Sequence, residues 1–347
     1  MSKAAICVVV PVYKAMATLD RCVESVLAQQ VEGGLTCILV DDGSPDESGA
    51  LCDAWAAKDD RVTVIHQDDL GVSGARNSGL AAADSEFIVF LDSDDALRPG
   101  ALQAALTAQR AAPQDFVVWH YTTDEKDPAA VTADAEPRTQ AGLARLWLDC
   151  LLAMPWNKLY RADLAKQLQF DVQYTLGEDL QFVLDYIALL GQTVPEFGYR
   201  VMTSPLTFYD CSRGGTLSTR YHANYCDIWP KHFAKLNAAC HAAACPAEDM
   251  RPLHRAELQV FAEGVADIMR RDPSPTQRLK GYKAEAALRS PWLRALLERM
   301  KIEHCYSAYY LPCRWHNVGL VCRVDEARRA NAPLYGKLDW AGYYLLL

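Results

Sequence analysis

Asp92 and Asp94 stand one residue apart in Phe90-Leu91-Asp92-Ser93-Asp94-Asp95, where the apolar run Phe87-Ile88-Val89-Phe90-Leu91 ends; Glu178 and Asp179 follow about 85 residues later, behind Gly177. Hard oxygen donors at the end of a buried strand suit a divalent cation held against a phosphate. A further carboxylate placed nearby can accept a proton from an attacking hydroxyl. A second acidic pair, Asp41-Asp42, ends the run Cys37-Ile38-Leu39-Val40. A loop aspartate taken singly is a turn former or helix cap, and an acidic pair after glycine complements the positive end of a helix. Several such groups at the carboxyl ends of strands in one open sheet would instead share a crevice, because ligands bind outside that edge.

The elements that must position these groups alternate over the first 120 residues. Ile6-Cys7-Val8-Val9-Val10, closed by Pro11, is a strand, and Leu19, Cys22, Val23, Val26 and Leu27 share one face of the helix that follows. After the second strand, Ser44-Pro45-Asp46-Glu47 predicts an N-cap, a first-turn proline and a capping-box glutamate. Val62-Thr63-Val64-Ile65 is a third strand, the glycine-bearing segment from Gly71 to Leu80 opens a helix, Phe87 begins a fourth strand, and Phe116-Val117-Val118-Trp119 is a further one. This order predicts an α/β fold with a mostly parallel sheet and helices on both faces. Residues 122 to 140 lack a period and read as an exposed loop; 143 to 152 read as helix, and Trp156-Asn157-Lys158-Leu159-Tyr160 as the start of a second helical piece. Beyond about residue 220, apolar residues recur at helical spacing through Phe261, Val265 and Ile268 and again through Leu293, Leu296 and Leu297. The expected division is an α/β region over 1–220 and a helical region over 221–347.

Five segments together, Val10-Pro11-Val12-Tyr13, Val40-Asp41-Asp42-Gly43-Ser44, Gly74-Ala75-Arg76-Asn77-Ser78-Gly79-Leu80, Phe90-Leu91-Asp92-Ser93-Asp94-Asp95 and Gly177-Glu178-Asp179, resemble the family 2 glycosyltransferases of the GT-A fold in order and approximate spacing. The likeness spans roughly residues 4 to 220, and Trp156-Asn157-Lys158-Leu159-Tyr160 is similar to a further family segment. The resemblance implies that Pro11, Val12, Tyr13, Asp41 and Asp42 hold the nucleoside of a nucleotide-sugar donor, UDP-linked above all, and that Arg76 lies near its diphosphate. It implies that Asp92 and Ser93 contact the donor, that Asp92 and Asp94 bind Mn²⁺ or Mg²⁺ with Asp94 the more direct ligand, and that Asp179, beside Glu178, is the base. A single displacement by an acceptor hydroxyl would invert the anomeric carbon. Arg213-Gly214-Gly215-Thr216-Leu217-Ser218 resembles a closing segment, with Arg213 and Ser218 toward the diphosphate. Thr216 stands where serine is usual, and Asp69 where asparagine is expected. Two rivals share the architecture: a nucleotide-sugar-binding module without turnover, and a sugar-nucleotide pyrophosphorylase. The second would want a glycine- and arginine-rich loop where this chain has Pro11-Val12-Tyr13-Lys14-Ala15.

The bulk properties narrow the field further. Neither a dinucleotide fingerprint nor a P-loop is present. The net charge of −9 argues against nucleic acid as a partner. Residues 271–330 hold twelve Lys and Arg against six Asp and Glu, so this stretch is +6 and the rest −15. Such a basic stretch has two readings, a peripheral contact with anionic lipid and a solvated helical face. The twelve cysteines are scattered without a C-x-x-C pair, and Cys7, Cys22 and Cys37 take apolar positions, as free buried thiols do. His304, His316 and Cys313 lack metal-ligand spacing. With no run of 18 apolar residues and no basic leader, the expectation is a cytoplasmic protein, at most peripheral on the inner face of a membrane. Trp315, Trp340, Tyr343, Tyr344 and the terminal leucines would pack on the chain, join a homo-oligomer or meet a membrane surface. The helical region is the expected place for contacts with a glycan or lipid-linked acceptor.

Overall fold

The computed structural model describes residues 3–174, 176–212 and 220–331. Arg213, Thr216, Ser218, Trp340, Tyr343 and Tyr344 lie outside the described residues. The chain divides into two compact units, Met1–Gly214 and Gly215–Leu347.

The first unit runs β1 (Ala4–Val12), α1 (Leu19–Leu27), β2 (Leu35–Asp42), α2 (Ser48–Lys58), β3 (Val62–Gln67), α3 (Gly71–Ala82), β4 (Ser85–Phe90), β5 (Ala96–Leu97), α4 (Ala101–Ala111), β6 (Phe116–Thr122), β7 (Ala135–Thr139), α5 (Leu143–Leu148), β8 (Lys158–Arg161), α6 (Ala162–Ala165), α7 (Glu178–Thr193) and β9 (Gly198–Phe208). The sheet order is β3-β2-β1-β4-β8-β6-β9-β5, with β7 paired to β9. Its first four strands are parallel. Every residue of β1 after Ala4 is buried, so both faces of the sheet are covered. The core gathers Val8, Val10, Leu39, Val89, Leu106 and Trp119.

The fold is the expected α/β class, and three local readings need correction. The segment read as the start of a helix at Trp156 holds β8, antiparallel to both β4 and β6. Lys158, Leu159 and Tyr160 are all fully buried. A short run buried on both sides carries no period that separates strand from helix. Within the expected loop at 122–140, Ala135–Thr139 forms β7 on the outer side of β9. Its sequence, Ala-Glu-Pro-Arg-Thr, is mostly exposed and carries a proline, which an edge strand tolerates. The marked helix start at Ser44 is not used as a cap. Ser44 Oγ accepts the N–H of Lys14 at 3.2 Å and Ser48 Oγ that of Ala15 at 2.9 Å, so both serines pin the turn after β1. Helix α2 begins only at Ser48.

The second unit is helical: α8 (Tyr225–Ala242), α9 (Ala247–Arg271), α10 (Gln277–Leu288), α11 (Pro291–Ile302), α12 (Tyr310–Arg314) and α13 (Val318–Arg329). Its core is built from Leu258, Phe261, Val265, Leu293, Leu297, Tyr309 and Val321. All twelve cysteines of the chain are free thiols. Among the described residues, no helix is long and apolar enough to cross a membrane.

Candidate active site

The parallel strands deliver their carboxyl ends in register. Val12 pairs with Asp41, Asp41 with His66, Asp42 with Gln67, and Val9 with Phe90. Pro11, Val12, Tyr13, Asp41, Asp42 and Asp92 therefore share one sheet edge. Pro11 and Val12 are buried, whereas Tyr13 is 44% exposed. Asp41 Oδ1 accepts from the Ser44 N–H at 3.2 Å, and Oδ2 lies 3.0 Å from His66 Nδ1. Burial works to raise the Asp41 pKa, but the hydrogen bonds to Ser44 and His66 outweigh it and hold the carboxyl below its ordinary value. The other ring nitrogen of His66 meets Asp53 at 2.9 Å; Asp53 and then Asp41 raise the imidazole's pKa. Asp42 Oδ1 accepts from Gln67 Nε2 at 2.7 Å and from the Leu70 N–H at 2.9 Å. The acidic pair is thus fixed toward β3.

Arg76 gathers the groups the sequence holds apart. It sits on α3, 3% exposed, and donates through Nη1 to Asp179 Oδ1 at 2.6 Å and through Nη2 to Asp92 Oδ1 at 2.8 Å. Its guanidinium also lies over the Phe170 ring at 5.4 Å. Helix α3 reaches this position because Gly79 lets it close on the sheet: a Cβ there would stand 2.3 Å from Val9 Cγ1. Asn77, one residue on, clasps the backbone of Phe170, donating to its carbonyl at 2.8 Å and accepting its N–H at 2.7 Å. Gly177 (φ +79°) takes the left-handed conformation from which α7 starts, and Glu178 and Asp179 form its first turn.

Charge in this cluster is lopsided. Burial opposes the charge on Arg76, but Asp179, Asp92 and Glu178 together hold its pKa above the ordinary value. Burial pushes the Asp179 carboxyl up to about 7, with Glu178 and Asp92 adding to the rise and Arg76 and Lys158 opposing it. Asp179 keeps 28% of its side chain accessible. Asp95 is fully buried; Oδ1 accepts from the Asp210 N–H at 2.9 Å, and Oδ2 has no hydrogen-bond partner among the described residues. Burial, reinforced by Asp92, pushes it up to about 9.

Several supporting residues went unmarked in the sequence. Arg21 on α1 donates through Nη2 to the Asp94 carbonyl at 2.5 Å and to Asp210 Oδ2 at 2.7 Å, tying the Asp92–Asp95 turn to the chain beyond β9. No local pattern could have found it, since the partners lie 73 and 189 positions away. Lys158 is fully buried, and its Nζ donates to the carbonyls of Leu151 (2.7 Å) and Met154 (2.5 Å) and to Asn157 Oδ1 (2.6 Å). Burial holds its pKa well below the ordinary lysine value, against the pull of Asp179. Ser93 is half-buried in the turn between Asp92 and Asp94.

A divalent cation fits this donor set. Asp92 spends Oδ1 on Arg76, and its Oδ2 accepts no hydrogen bond among the described residues. Burial is the main cause of the raised Asp95 pKa, and the neighbouring carboxylates Asp92 and Asp94 add to it. Ions such as Mg²⁺ need one or two carboxylates plus substrate phosphates rather than a full protein cage. Asp92 and Asp94 offer that number.

Comparison with known proteins points the same way. Glycosyltransferase GlyG of Streptococcus pneumoniae is 39% identical over 124 residues, covering 35% of this chain and 41% of that protein. The chain spans about half the length of the curated relatives it matches. Among solved structures, S. aureus TarS 1-349 in complex with UDP-GlcNAc superposes with a TM-score of 0.62 at 17% identity, covering 94% of this chain and 92% of that one. The mannosyltransferase PcManGT from Pyrobaculum calidifontis, in complex with GDP-Man and Mn²⁺, gives 0.51 at 17% identity, covering 91% and 88%. These likenesses establish a GT-A fold. Residues 7–169 match the family model described as Glycosyl transferase family 2. That match contains most of β1, all of β2 to β4, Arg76 and the Asp92–Asp95 turn, and it stops short of Glu178 and Asp179. Over residues 7–169 the chain is therefore similar to the family 2 glycosyltransferases.

Proposed function

We propose that the chain transfers a sugar from a nucleoside-diphosphate donor, a UDP-sugar above all, to a hydroxyl of a glycan or lipid-linked glycan, with inversion at the anomeric carbon. The observation that carries this reading is Arg76, which joins Asp92 and Asp179 in one cluster at the carboxyl edge of the sheet. In this reading Pro11, Val12, Tyr13, Asp41 and Asp42 seat the nucleoside, with Tyr13 as its exposed aromatic face. Asp92 and Asp94 hold Mn²⁺ or Mg²⁺ and Ser93 contacts the donor. Bound there, the ion would act as a Lewis acid on the departing diphosphate.

Asp179 takes the proton of the attacking hydroxyl. A carboxyl raised to about 7 is a stronger base than an ordinary aspartate and is still ionised in a useful fraction near neutrality. Arg76 fixes the direction of the accepting oxygen, and Lys158, whose charge acts on Asp179, is itself held by three acceptors. The helical unit, with its basic stretch, is assigned to acceptor or membrane-surface contacts.

The test is a panel of nucleotide sugars with Mn²⁺, read first as thermal stabilisation and then as transfer, with NMR of the product. A β-linked product from an α-linked donor is expected. An α-linked product would exclude the single displacement, and stabilisation without transfer or hydrolysis for any donor would favour a binding module.

A further inference from the structure

We propose that His254, Glu303 and Cys305 in the helical unit form a mononuclear zinc-class site that staples α9 to the turn after α11. Nothing in the sugar-transfer reading requires it, and none of its residues lies in the catalytic unit. Their donor atoms, an imidazole nitrogen, a carboxylate oxygen and a thiol sulfur, all lie within 4.8 Å of one another. His254 is 1% exposed and Cys305 2%. His254 Nδ1 stands 2.6 Å from Glu303 Oε2, and Cys305 Sγ stands 3.6 Å from the same oxygen. Around one tetrahedral ion, with bonds of about 2.0–2.1 Å to nitrogen and oxygen and about 2.3 Å to sulfur, the sulfur–oxygen separation already fits, and Nδ1 and Oε2 would part by about 0.7 Å.

The surroundings of His254 offer a partner for either state of the ring. Asn237 donates through Nδ2 to the Phe233 carbonyl at 2.9 Å and to Glu257 Oε1 at 2.6 Å. A backbone carbonyl can only accept, so the amide orientation is set and Asn237 Oδ1 faces His254 Nε2 at 3.2 Å. Without an ion, Nδ1–H donates to Glu303 Oε2 at 2.6 Å while Nε2 accepts from Arg299 Nη1 at 3.3 Å. With an ion on Nδ1, the ring hydrogen moves to Nε2, where Asn237 Oδ1 can accept it. A divalent ion bound by a neutral imidazole, a carboxylate and a thiolate has no net charge. An outer hydrogen bond that orients a ligating histidine is also what such sites use.

His304, between Glu303 and Cys305, holds φ +53°, the left-handed cap that also ends the helices before Ala244 and His316. It closes the end of α11, with the Cys305 N–H on the Met300 carbonyl at 3.0 Å, and turns Glu303 and Cys305 toward the same point. The donors come from positions 254, 303 and 305, so no short sequence spacing announces them.

The experiment uses the full chain purified without chelator, measuring metal content and then replacing the ion with Co²⁺. About one zinc per chain is expected, and cobalt should give thiolate-to-metal charge-transfer absorption with tetrahedral visible bands. Cys305→Ser, with its fold checked by circular dichroism, should lose the charge-transfer band, and Asn237→Leu should weaken binding about 10–100-fold. Cobalt at Asp92 and Asp94 would give no sulfur band, so the two sites are separable. Substoichiometric zinc in the folded protein, or a charge-transfer band that survives Cys305→Ser, would overturn the proposal.

Discussion

Arg76 Nη1 meets Asp179 Oδ1 at 2.6 Å across 103 positions of sequence. The same guanidinium holds Asp92 at 2.8 Å, so one buried cation sets the spacing between the carboxylate assigned to the metal and the carboxylate assigned to the proton. Removing it should do two things. Arg76→Ala leaves two carboxylates facing each other in a largely buried site, and the expected loss is about 3 kcal/mol of stability, measured by denaturant unfolding. Arg76→Lys keeps the charge but cannot fork to two acceptors, so it should retain the fold and still lose most of the activity. Full activity in Arg76→Lys would show that the bidentate geometry is dispensable.

Asp179 offers a prediction in pH. Its carboxyl is pushed up to about 7, so the fraction able to accept a proton grows as pH rises through that value. The rate of transfer at low donor concentration should climb from pH 5.5 to 8 and then level off. Asp179→Asn should bind donor as the parent does and lose about 10²–10⁴-fold in turnover. A flat profile across this range would place the base elsewhere.

Much of the catalytic unit could be read from the chain, and the reason is local. The strand ends at Val12, Asp42 and Phe90 are marked by apolar runs that stop at proline, acidic pairs or a turn, and the sheet edge follows from their parallel register. Lys158-Leu159-Tyr160 misled because a fully buried strand has no alternation to show. Ser44 looked like a cap, yet its hydroxyl, like that of Ser48, serves the turn after β1, a contact between positions 30 or more apart. The burial of Asp95, the reach of Arg21 to Asp210 and the grouping of His254 with Glu303 and Cys305 are all tertiary. Spacing along the chain holds no trace of them.

Glu257 in the helical unit allows a stability test independent of function. It is 1% exposed, accepts from Asn237, and burial pushes its pKa up to about 8. The folded state therefore holds a proton that the unfolded chain releases near its ordinary value of 4.5, and stability falls as pH rises from there to about 8. Glu257→Gln keeps the carbonyl acceptor and removes the titration. Its melting temperature should exceed that of the parent at pH 8.5 by more than at pH 5, with a difference in stability on the order of a few kcal/mol at most. Equal shifts at both pH values would mean that Glu257 is already ionised in the fold.

Crystals grown with UDP and Mn²⁺, with the ion located by its anomalous signal, test the central assignment most directly. The account places the manganese peak within coordination distance of Asp94 or Asp92, the uracil beside Tyr13, Asp41 and Asp42, and the diphosphate between them. A nucleotide and ion bound together anywhere else on the chain would contradict it.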